Sequence, residues 1–152
     1  MRRPLFYSTG ILVVGLLLIQ LIPVDLDNPP VEEDIPTSTE VKTILKRACY
    51  DCHSHETVWP WYSRIAPVSW LLLWDVKEGR EELNFSTWNR YSSKKQAKKI
   101  HESWEEVEEG EMPLWFYLPL HPEAALSDKD QAVLREWAKA QPYADDDEDD
   151  DD

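Results

Sequence analysis

Residues 49–63 read CYDCHSHETVWPWYS and hold both cysteines of the 152-residue chain. Two residues separate Cys49 from Cys52, and His53 follows the second thiol at once. Three kinds of chemistry use thiols in this way: a disulfide, half of a tetrahedral zinc site, or the thioether attachment of a haem. A disulfide closing so small a loop removes little chain entropy. Zinc needs two more ligands, and His55, His101 and His121 stand at no finger or ribbon spacing. A thioredoxin-like dithiol belongs beside a strand–helix–strand pattern, which is missing here. C-x-x-C-H is the attachment sequence of c-type haem: two thiols meet two vinyl groups and the adjacent imidazole comes under the iron. The residues therefore point to one covalent haem c, with Cys49 and Cys52 as attachment sites and His53 as proximal ligand.

The opposite face of the iron is the next position to fill. Apart from the initiator, Met112 in GEMPLWFY is the single methionine. A lone methionine is ordinarily core filler. Gly110 and Glu111 before it and Pro113 after it make a turn leaving a helix, where the backbone can bend toward a ligand. A thioether opposite His53 gives the Met/His pair that raises haem potential. His121, in the loop beyond, is the rival, and an open site is the third reading. His55 is too near His53 to reach the far face, and His101 beside the Ala97, Ile100, Trp104 stripe reads as a surface residue.

Haem carboxylates call for donors. Trp61, Tyr62 and Arg64 follow the C-x-x-C-H segment, and Arg80 and Asn84 stand in GREELN; indole, phenol and guanidinium suit a propionate. The plainer reading makes Trp59, Trp61 and Tyr62 core aromatics. Pro67 is a candidate for the carbonyl that orients the proximal imidazole.

Which compartment holds these thiols is decided by the N-terminus. After Met1-Arg2-Arg3, residues 5–24 carry no charge, and twenty helical residues at about 1.5 Å each match a hydrocarbon core of roughly 30 Å. Arginines in front and acids behind place the N-terminus in the cytoplasm and the remainder in the periplasm. A cleaved signal peptide requires a small-x-small site, whereas IPVDLDNPP contains no Ala, Gly or Ser. The expectation is an uncleaved inner-membrane anchor over 1–24, then an acidic, proline-rich tether over 25–36. Residues 37–144 form one folded domain, and the acidic run 145–152 is a disordered tail. With a net charge of −14, nucleic-acid binding is excluded and a basic protein partner is favoured.

Within the domain, four stretches have helical period. Val41, Ile44, Leu45 and Ala48 share a face behind a Thr37–Glu40 cap. Val68, Leu71, Leu72 and Val76 form a second stripe, which Gly79 ends or interrupts. Ala97, Ile100, Trp104 and Val107 form a third, capped by Ser93 and Gln96 and stopped at Gly110. Val133, Leu134 and Trp137 follow a Ser127–Asp130 cap. No stretch alternates with period two, so the fold class is all-α. Four short helices bury a modest core, and a large flat apolar cofactor would fill the middle.

The segments CYDCHSHETVWPWYSRIAPVSW, VKEGREELNFSTW, GEMPLWFYLPLHPEAALS and LREW together resemble the bacterial membrane-anchored, single-haem "haem-binding domain" family. Their order is similar to that of a class I cytochrome c, with an early helix ending in the haem motif, a late Met-Pro loop and a closing helix. The resemblance implies Cys49 and Cys52 as attachment sites, His53 as proximal ligand and Met112 as distal ligand. The family often has histidine where this chain has Asp75, which removes one further ligand. Two functions follow as expectations: a one-electron carrier that is not an enzyme, or a haem sensor or peroxidase-like protein with a displaceable or absent sixth ligand.

Overall fold

A computed structural model describes residues 3–142. Arg2 and the acidic tail at 145–152 lie outside the described residues. Among the described residues six α-helices succeed one another: α1 (Arg3–Ile19), α2 (Thr39–Ala48), α3 (Tyr50–His53), α4 (Val68–Glu82), α5 (Ser93–Glu108) and α6 (Asp128–Lys139). Among the described residues the one pairing of extended chain is a bridge between Glu33 and Thr87, so the fold is all-α.

Side-chain caps set where α2, α5 and α6 begin. Ser38, extended at φ −63° and ψ 155°, accepts the Val41 N–H and starts α2 one residue later than the expected Thr37. Ser92, extended at φ −62° and ψ 160°, accepts the Lys95 N–H and caps α5 one residue earlier than the expected Ser93. At α6 the Ser127–Asp130 capping box forms as its spacing predicts. Gly110, at φ 80°, ends α5 in the left-handed region open to glycine. Gly79 neither ends nor interrupts α4, which runs on to Glu82.

The core joins α2, α5 and α6 through Ile44, Leu45, Ile100, Val107 and Leu134, with Tyr50, Phe85 and Trp88 stacked beside them. Against expectation, part of the acidic tether belongs to this core. Ile35 is 2% exposed, and its N–H donates to Phe85 while Glu32 and Glu33 donate to Ser86. Asp34 accepts from Lys42 at 2.7 Å and from the Tyr50 hydroxyl at 2.5 Å, locking the strap to α2 and α3.

One further expectation is corrected, and the N-terminal helix is shorter than the twenty residues expected. On α4 the buried positions are Ser69 and Val76, while Val68, Leu71 and Trp74 point outward. The first half of this helix, residues 68–74, is apolar on nearly every side, so hydrophobicity alone does not select the inner face there. The N-terminal helix stops at Ile19; Gln20, Leu21 and Ile22 continue as tighter turns, donating to the carbonyls of Leu17, Leu18 and Ile19. Pro23 restricts the residue before it and offers no N–H, which closes the segment. Among the described residues no helix is long and apolar enough to cross a membrane.

Candidate functional site

The site is built from one turn of helix. His53 N–H and Cys52 N–H both donate to the Cys49 carbonyl, at 2.9 and 3.2 Å. Positions i, i+3 and i+4 of a helical turn share a face, so Cys49, Cys52 and His53 line one wall together. The opposite end of the turn is held by Phe85, whose N–H donates to the His53 carbonyl at 2.8 Å.

That wall opens on a cavity of about 580 Å³, within the range of roughly 300–1,000 Å³ for cofactor sites. Trp74, Gly79 and Leu83 of the α4 side, Trp104 and Val107 of α5, and Leu134 and Trp137 of α6 enclose it. Met112 lines the same cavity. Gly110 turns the chain there, and the N–H groups of Glu111 and Met112 both donate to Glu106, at 2.9 and 3.0 Å.

His53 is oriented by main chain. Its Nδ1 donates to the Gly79 carbonyl at 2.8 Å and stands 3.2 Å from that of Leu83. Two carbonyl acceptors require the proton on Nδ1, which leaves Nε2 with a free lone pair for a metal. Burial holds the imidazole below its ordinary pKa against the opposing pull of the two carbonyls, so the ring is neutral at pH 7. The expected role of Pro67 falls to these carbonyls; that of Pro67 accepts from Trp70 within α4. Gly79 makes the approach possible, since a Cβ there would lie 2.9 Å from the Cys52 carbonyl oxygen.

Both thiols are free. Burial, reinforced by Cys52, pushes Cys49 up to about 12, and burial, then Asp51 and Asp75, push Cys52 up to about 12. Protonated thiols of this kind are poor metal ligands and poor redox nucleophiles. Among the described residues no group of three or more His, Cys, Asp or Glu is placed to hold a metal ion.

The remaining candidates lie elsewhere. His121 does not line the cavity: its Nε2 meets the Tyr62 hydroxyl at 2.6 Å, its Nδ1 meets Glu123 at 3.1 Å, and its ring stacks on Tyr117. Arg80 turns away to the Ser54 carbonyl, Asn28 and Thr57, fastening the strap to the loop after α3. Asn84 bonds His55 and the Ser86 N–H. Trp61 and Arg64 are exposed, and neither lines the cavity. Arg80 and Asn84 therefore brace the fold, and none of the residues expected at the propionates lines the cavity.

Sequence reasoning missed Lys99. Among the described residues it is the one lysine or arginine lining the cavity, beside seven carboxylates: Asp51, Asp75, Glu78, Glu82, Glu102, Glu105 and Glu106. Lys99 pairs with Glu102 at 2.9 Å. Lys99, Ser103 and Val107 fall at i, i+4 and i+8 of α5, a spacing that would have revealed the face. Burial, then Glu78, hold the Asp75 carboxyl above its usual range.

The donor set fits haem: two thiols, an imidazole with its second nitrogen committed and a thioether, on an apolar cavity of suitable volume. An all-α domain enclosing such a site defines a small haem protein. The model of the haem-binding domain family matches residues 14–140, and the chain belongs to that family. Neither the curated proteins nor the solved structures contain a match to it.

Proposed function

We infer that the protein is a membrane-tethered, single-haem c-type cytochrome that carries single electrons between partner proteins in the periplasm and performs no bond chemistry of its own. The observation that carries this reading is that Met112 shares one cavity with Cys49, Cys52 and His53. Bound there, haem supplies a one-electron iron couple. Cys49 and Cys52 would hold it as thioethers, His53 Nε2 and the Met112 sulfur would hold the iron, and Lys99 is the cation available to a propionate. The carbonyls of Gly79 and Leu83 keep the imidazole from turning, and Phe85, Trp104 and Leu134 keep water out. Carboxylates around the cavity favour a basic partner, whose encounter rate falls with added salt.

A sensor or peroxidase-like protein would want a distal base and a charged partner at an open face. His121 and Arg80, the residues suited to those tasks, are engaged outside the cavity.

The tether is the N-terminal apolar segment. Ile11, Leu12, Leu17 and Leu18 of α1 are exposed, a surface that suits lipid. Its 17 residues rise about 25 Å, and the turns at 20–22 together with local bilayer thinning accommodate the shortfall. Arg2 and Arg3 favour a cytoplasmic N-terminus.

Absorption spectra of the purified protein, oxidised and reduced, with and without carbon monoxide, test the carrier reading. Low-spin, six-coordinate iron that resists carbon monoxide is expected. Ready binding by the unmodified protein would turn the assignment to a sensor.

A further inference from the structure

Three stretches of this acid-rich chain are apolar and contain no Asp or Glu: residues 1–24, 57–74 and 112–122. The fold gathers them. Gln20, just past α1, holds the Ala66 backbone twice, donating to its carbonyl at 2.9 Å and accepting its N–H at 3.0 Å. Ala66 stands between the Trp61–Arg64 turn and α4. Tyr62 in that turn holds His121 at 2.6 Å, which brings the 113–121 loop alongside.

The surface so assembled is apolar and open. Trp61 is 76% exposed, Leu71 52% and Trp115 80%, with Val68, Trp74 and Leu120 also outward. A face of this composition, on a chain of net charge −14, is not suited to water or to an anionic partner. Tryptophan at the boundary of a bilayer places its ring among the headgroups and its N–H toward water. Gln20 ties the Ala66 segment, between the Trp61–Arg64 turn and α4, to the end of the apolar helix, which brings the two apolar surfaces to the same part of the fold.

We propose that the face formed by Trp61, Val68, Leu71, Trp74, Trp115 and Leu120 lies on the headgroup–acyl boundary of the membrane that holds α1, fixing the orientation of the haem domain. The proposal rests on the tether reading. Attachment is apolar and aromatic rather than electrostatic, so zwitterionic lipid suffices. Trp74 lines the cavity as well as this face, which brings one edge of the cavity close to the membrane surface.

The test uses the full-length haem-loaded chain in phosphatidylcholine–phosphatidylethanolamine vesicles doped with a phospholipid carrying a diazirine near the glycerol. After irradiation, adducts are mapped by peptide mass spectrometry. Adducts are expected on α1 and on peptides covering 58–74 and 113–121, unchanged in high salt. The double variant Leu71→Ser, Trp115→Ser should lose adducts several-fold on those two peptides, with α1 labelling and the haem spectrum unaltered. Adducts confined to α1 would overturn the proposal while sparing the tether, and would leave the face to a protein partner. Absence of adducts from α1 as well would overturn the tether, and this proposal with it.

Discussion

The Gly79 carbonyl accepts a hydrogen bond from His53 Nδ1 at 2.8 Å, across 26 positions of sequence. This contact selects the imidazole tautomer and aims Nε2, and it exists because α4 passes α3 without a side chain between them.

Gly79→Ala tests that close approach. The added Cβ would meet Cys52 backbone at 2.9 Å, which cannot swing aside as a side chain can. Alanine gains up to ~1 kcal/mol of helix propensity, against an overpacking cost of ~1–3 kcal/mol. Net destabilisation is expected, seen as a lower Tm, together with a shifted haem absorption as His53 is displaced. A variant with a higher Tm and an unchanged spectrum would show that the helices have room.

Covalent attachment makes a separate prediction. Haem should remain with the polypeptide after denaturation and acid–organic extraction, and Cys49→Ala, Cys52→Ala should release it. Extractable haem in the unaltered chain would leave the cavity as a non-covalent site.

Ligation distinguishes Met112 from His121. Met112→Ala should open one face to carbon monoxide and lower the potential, because sulfur favours the ferrous state. Met112→His should restore six-coordination at a lower potential. His121→Ala should leave the spectrum alone and lower stability instead, by about 0.5–1.5 kcal/mol for the lost Tyr62 hydrogen bond. The opposite pattern would mean that two histidines hold the iron.

Lys99 offsets seven cavity carboxylates, so Lys99→Gln should lower the reduction potential by removing a charge that opposes ferric iron. Redox titration at low and high salt should show the shift shrinking as ions screen it. A salt-independent or upward shift would rule out this electrostatic role.

Acid stability should depend on Asp130. Hydrogen bonds from the Ser127 hydroxyl and N–H, and then Arg47, hold its carboxyl down at about 2 against an ordinary 3.8. A depressed carboxylate contributes stability that is complete above its unfolded-state value and disappears as pH falls through its folded-state value. The stability gap between the unaltered chain and Asp130→Asn should therefore be constant above pH ~5 and close between pH ~4 and ~2. Denaturant melts across that range measure it, and a gap that persists at pH ~2 would exclude the linkage.

Local relationships were legible in the sequence. C-x-x-C-H specifies one helical turn, and i, i+3, i+4 geometry then places Cys49, Cys52 and His53 on one face. The Ser127–Asp130 cap and the stop at Gly110 were read correctly, since both depend on residues within one turn. Relationships between distant segments were not legible. Only helix packing brings Met112 to the cavity and takes His121 to Tyr62, because both residues lie in loops whose paths depend on what they rest against. Arg80 offered suitable donors, but the strap and the loop after α3 claimed them. Ile35, in a stretch composed like a free tether, is buried because Phe85 and Ser86 satisfy the strap's backbone N–H groups. The outward face of α4 was hidden for a related reason. Residues 68–74, apolar on nearly every side, carry no periodicity to say which side is inside, and that choice waits on tertiary packing such as the close approach of Gly79 to Cys52.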